Sequence, residues 1–126
     1  DPQAQVIEMG SIAELGQLVA GVFERPEATS GKTLSMAAGR YSFADVAEAW
    51  TRATGEPMGL GQVPPEVYAG FFPGAGELAQ MFGYFADHTY MGPDAEPRKT
   101  LARDVATAPF TPLDAWLATH APRATA

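Results

Sequence analysis

With 126 residues, 46% of them apolar, and 13 glycines and 11 prolines to interrupt it, the chain is sized for one domain, 1–126, able to bury a core between frequent breaks. Its formal charge of −7 comes from 15 acids against eight scattered bases, and the densest basic group, Arg98, Lys99 and Arg103, is interleaved with Asp94, Glu96 and Asp104; this argues against a nucleic-acid backbone or an anionic membrane as partner. The chain holds no cysteine, no 18-residue apolar run and no N-terminal signal pattern, which removes disulfides, thiol catalysis and cysteine metal sites and leads us to expect a cytoplasmic protein.

The chain opens at Asp1-Pro2 and almost at once enters an apolar run, Val6 to Met9, that reads as a short strand. A strand so early suggests residues lost upstream, or a neighbouring strand supplied by a partner. Ser11-Ile12-Ala13-Glu14 has the pattern of a capping box. The helix it opens places Ile12, Leu15, Leu18, Val19, Val22 and Phe23 on one predicted buried face, and Pro26 ends it. Thr33 to Ala37 alternates like a second strand, with Gly39 marking a turn.

Ser42-Phe43-Ala44-Asp45 starts the next helix, with a serine cap and an early acid. Phe43, Val46, Ala47 and Trp50 form its predicted core face, and Gly55 its C-cap. Met58 to Val63, broken by Gly59 and Gly61, reads as a weaker third strand. Pro64-Pro65 precedes a short helix over 66–72, and a clear helix after Gly76 aligns Leu78, Met81, Phe82 and Phe85. Residues 91–109 read as a long irregular connection. Thr111 and Pro112 open a last helix that buries Leu113, Trp116 and Leu117, and Arg123 to Ala126 is the one stretch with a disordered composition. The expected fold is α/β (α+β): a small sheet of about three short strands with four to five helices.

Chemical motifs are incomplete. Gly74-Ala75-Gly76-Glu77-Leu78-Ala79 formally fits a dinucleotide fingerprint. That turn needs a buried strand before its first glycine, and Pro73 stands there instead, with Glu77 where phosphate should sit; a plain loop entering a helix is the better reading. No Tyr-x-x-x-Lys pair occurs, and two histidines, His88 and His120, cannot make a protein zinc site unaided. His88 falls near a helix end, where a cation complements the dipole. Asp87 and His88 are adjacent and diverge around the helix, so they form no ready dyad. Catalytic candidates reduce to His88, Tyr84 and Asp87.

The strongest feature is aromatic density between Tyr68 and Tyr90. Two adjacent helices cannot point all of these rings into one small core, because neighbours such as Tyr84 and Phe85 diverge by about 100°. Some must face a second surface, which would serve as a ligand pocket or a partner interface. Tyr68, Phe71, Phe72, Met81, Tyr84, Phe85, His88 and Tyr90 are the expected binding residues for a small apolar or aromatic molecule.

Ile12 to Phe23, Arg25-Pro26, Gly31-Lys32-Thr33-Leu34-Ser35-Met36-Ala37, Ser42 to Ala47 and Thr54-Gly55-Glu56-Pro57-Met58 are similar to the C-terminal half of NmrA-like proteins, atypical members of the short-chain dehydrogenase superfamily. Gln62-Val63-Pro64, Glu77-Leu78, Met81 to Phe85, Tyr90 and Thr111 to Leu117 continue the likeness. The resemblance implies a substrate-binding lobe that packs on a Rossmann lobe holding NAD(P). Here the Rossmann half is absent, so no cofactor is expected on this chain alone, and the partner is expected to be that missing half or a second copy. A stand-alone, cofactor-free cyclase, isomerase or lyase acting as a homodimer, and a pure protein-interaction module, are the competing readings.

Overall fold

The computed structural model describes residues 1, 3–4 and 6–122; the expectation for Arg123 to Ala126 lies outside them. The order is β1 (Ile7–Met9), a 3₁₀ turn (Ile12–Glu14), α1 (Leu15–Glu24), α2 (Pro26–Thr29), β2 (Gly39–Tyr41), α3 (Phe43–Thr54), α4 (Pro65–Tyr68), α5 (Ala75–His88), α6 (Ala95–Val105) and α7 (Leu113–His120). The α/β class therefore holds. β1 and β2 pair antiparallel, Ile7 opposite Tyr41 and Met9 opposite Gly39, so β1 finds its partner within the chain.

Among the described residues the sheet has two strands where three were expected. Residues 58–63 are exposed and form no ladder, because glycines at 59 and 61 offer no side chains to pack. The strand expected over 33–37 forms later, at 39–41. The 33–37 alternation still has a use, since Leu34 and Met36 pack against the core. The Ser35 N–H donates to the Arg98 carbonyl of α6, 3.3 Å away, rather than to a strand.

The larger correction is α6, which occupies the connection expected to be irregular. Pro97 is tolerated because it sits in the first turn, where the backbone N–H has no helical acceptor anyway. The buried residues of α6 are Ala95, Lys99, Ala102 and Val105, a helical stripe made mostly of small or polar side chains. It crosses α1 at contact distance: a Cβ on Gly21 would lie 1.7 Å from the Val105 carbonyl oxygen. Leu18, Ala102 and Val105 form the core at this crossing, with Val22, Leu101 and Phe110 packed around it. Lys99 reaches back to β1, where its ammonium pairs with Glu8 and lies 2.5 Å from Glu96.

Capping separates the two helix starts: the box forms where only a serine cap with an early acid was expected, and not where the box itself was expected. Ser42 caps α3 reciprocally with Asp45, and Gly55 closes that helix at φ 78°. Ser11 makes no capping bond. The Glu14 carboxylate is diverted across the molecule, accepting from the backbone N–H of Thr111 at 3.0 and 3.1 Å and from its hydroxyl. Thr111 is thereby taken from its expected role, and Pro112 becomes the N-cap of α7.

The helix faces differ most from expectation. Of the six apolar residues predicted to be buried by the first helix, Leu18 alone is buried; Ile12 is 83% and Phe23 81% exposed, and Leu15 and Val19 are also exposed. On α7 only Leu117 is buried. Among the described residues, seven of the eleven buried apolar residues are alanines, whereas the large apolar side chains crowd the surface.

Candidate functional site

The aromatic cluster is built by α4, the turn after it, and α5. Pro65 sits at the first helical position of α4, which is shorter than expected and ends at Tyr68. The chain then turns so that the Tyr68 ring meets Phe71 (5.5 Å between centroids) and Phe72 (6.0 Å). On α5 a second set runs edge to face: Phe82 with Phe85 at 6.4 Å, and Tyr84 with Phe85 at 6.4 Å. Phe43 of α3 anchors this set through Phe82 at 5.3 Å. Such tilted and edge-on pairs are the favoured geometry for aromatic quadrupoles.

The structure thus brings the predicted residues together in two groups. Tyr68, Phe71 and Phe72 form one; Tyr84, Phe85, His88 and Tyr90 form the other. Phe71 and Tyr84 are each 58% exposed, and Phe72, Met81 and Tyr90 are also exposed. Each group presents exposed rings to solvent.

His88 is the last residue of α5 and lies flat on Tyr84, 4.5 Å away and within 5° of parallel. Asp87 points elsewhere, as adjacent helical positions must, so the three catalytic candidates do not converge. Thr89 follows at φ 66°, a region that a β-branched residue enters only under constraint. That reversal brings Tyr90 back onto Phe85 at 4.7 Å. Arg98 of α6 secures the turn, its guanidinium donating to the Met91 carbonyl at 2.5 Å.

Thr89, Arg98, Phe43 and Phe82 all shape this face and were absent from the predicted set. Phe82 was legible as part of the α5 stripe. Thr89 carried no signal, because nothing in a threonine announces a positive φ.

Gly74 enters α5 at φ 93°, and what precedes it is a turn and the short α4. These residues do not make the strand–turn–helix cradle that a pyrophosphate needs. Among the described residues no three His, Asp or Glu side chains converge to hold a metal, and no helix is long and apolar enough to cross a membrane.

Two concavities lie away from the aromatic face. One, of about 440 Å³, is bordered by Ala47, Arg52 and Met58, and the other, of about 320 Å³, by Ile12, Tyr41 and Trp116. None of the eight predicted binding residues lines either.

A family model described as NmrA-like matches residues 1–117. With nearly the whole chain matched, and with the small sheet and surrounding helices in place, the chain belongs to the NmrA-like family.

Proposed function

We propose that this chain is the substrate-binding lobe of an NmrA-like, NAD(P)-dependent oxidoreductase or redox sensor, docked on a nucleotide-binding Rossmann lobe. The observation that carries the reading is surface. The chain exposes 8235 Å², where a monomer of 13.3 kDa ordinarily exposes about 6,500 Å². The excess, about 1,700 Å², is roughly twice the ~800 Å² that one partner contributes to a standard protein–protein interface. Its most apolar part is the outer side of α1, from Leu15 through Val19 to Phe23, a stretch without a charged residue. A helix face of that composition is the kind that domains cover.

The NAD(P) chemistry of the family belongs to the other lobe; this chain supplies walls. The aromatic face offers flat rings for a small apolar or aromatic substrate, with the Tyr84 hydroxyl and the His88 ring for its polar atoms. Fluorescence titration with 2-naphthol as the probe tests this role. Tyr84→Ala and His88→Ala are both exposed substitutions, and together they should weaken binding about tenfold, the loss of one stacking platform and its hydrogen bond. Affinity untouched by both would refute the assignment.

A further inference from the structure

A second concavity, between the β1 corner and the start of α7, is held by two struts. On one side the Glu14 carboxylate grips Thr111 through its backbone N–H, at 3.0 and 3.1 Å, and its hydroxyl. On the other the Tyr41 phenol oxygen accepts the Leu113 N–H at 2.9 Å. Tyr41 is itself aimed by its own strand, for its ring folds over Gly39, where a Cβ would stand 2.4 Å from the phenol oxygen. The 3₁₀ turn and α7 are therefore fixed apart, and the space between them measures about 320 Å³, the scale of a small-molecule site.

The lining determines what fits. Met9, Ile12 and Trp116 supply apolar walls, all three exposed. The Trp116 ring is immobilised by His120, stacked at 4.4 Å and within 5° of parallel. Because the Tyr41 oxygen already accepts from Leu113, its proton remains to be donated. Ser11 also keeps a free hydroxyl, since it makes no capping bond. No Lys, Arg or His lines the groove. The Glu14 carboxylate behind Thr111, in a chain of net charge −7, repels an anion, and its oxygens are already engaged by Thr111, which leaves little for a cation.

The geometry points to a second ligand site in this groove, for an uncharged small molecule that carries an acceptor oxygen, such as a carbonyl, on an apolar body. The oxygen sits at Tyr41, and the body lies between Ile12, Met9 and Trp116. This site stands apart from the aromatic face and does not depend on the reading given to that face.

The test is a ¹⁵N-resolved NMR titration of the full chain with 1-acetonaphthone, repeated with the anion 1-naphthoate. Saturable shifts at Met9 to Ile12 and Thr111 to Trp116 are expected, with naphthoate at least about tenfold weaker and Tyr41→Phe weakening acetonaphthone by about tenfold, as for one lost hydrogen bond. Tyr41→Phe also removes a strut, so Ile12→Ser decides. That side chain is 83% exposed, its loss leaves the fold intact, and affinity should fall several-fold. Binding unchanged by Ile12→Ser, equal binding of naphthoate, or shifts confined to residues 84–90 would each overturn the site; the last would leave the aromatic face standing.

Discussion

Lys99 carries a charge into a position where its side chain is 7% exposed, beside a Glu8 side chain that is 4% exposed. Burial pushes the ammonium pKa down, and the hydrogen bonds to Glu8 and Glu96 overcome that and hold it above the ordinary lysine value. The bond to Lys99 likewise lowers the Glu96 carboxyl. The signs fix the working range. A raised lysine stabilises the fold below its ordinary pKa and loses the effect only as pH climbs through the raised one; a lowered carboxyl loses its effect only as pH falls through the depressed one. Lys99 and Glu96 therefore both stay charged across neutral pH.

Removing one partner of a buried pair strands the other charge. Lys99→Ala should cost about 3 kcal/mol in denaturant unfolding, while Lys99→Met with Glu8→Leu should recover most of that loss. A double variant as unstable as the single one would mean that the pair is needed for more than mutual neutralisation. Gly21 is the steric counterpart. A methyl there meets the Val105 carbonyl oxygen at 1.7 Å, so Gly21→Ala should destabilise by about 3 kcal/mol, at the upper end for overpacking, by prising α6 from α1.

At the scale of elements, legibility followed the size of the side chains. α3 and α5 were readable because large apolar residues recur at helical spacing, and the Ser42 cap and Gly55 stop mark the ends of α3 as local chemistry requires. α6 was unreadable for the converse reason: it packs through Ala95, Ala102 and a lysine, and close helix approach uses what is small, not what is hydrophobic. Ser11 and Ser42 open nearly identical motifs, but only Ser42 caps. Thr111, distant in sequence, outbids the Ser11 backbone for Glu14, and no local pattern announces such a competitor.

The cap also gives a titratable prediction. Hydrogen bonds from the Ser42 backbone and hydroxyl hold the Asp45 carboxyl below its usual range. The stability it adds is present above the ordinary carboxylate pKa and fades as pH falls through the lowered one. Ser42→Ala should cost about 1 kcal/mol at neutral pH, a fall of a few degrees in melting temperature. Asp45→Asn should flatten the acid limb of the stability–pH profile; an unchanged limb would place the titration elsewhere.

For the whole molecule, the central fact is the inversion of its apolar residues, alanines within and large side chains without. The sequence correctly announced an apolar face on the first helix, but a periodic stripe says only that a face wants covering, not that this chain covers it. The same ambiguity attends the rings of α4 and α5, whose crowding was legible and whose openness was not. α1 meets α6 through Leu18 and Gly21 on its inner side, which leaves Leu15, Val19 and Phe23 for another body. On the proposed reading, a Rossmann lobe covers that face.

Native mass spectrometry, paired with the variant Val19→Asp plus Phe23→Asp, tests that claim most directly. Both side chains are exposed, so circular dichroism should show the fold retained. The account predicts that the native protein carries a Rossmann-type polypeptide, as a second chain or on a longer form of this one, and that the variant releases the second chain or, where the two are joined, exposes α1 to amide exchange. A 13.3 kDa chain found alone or as a homodimer, indifferent to both substitutions, would contradict it.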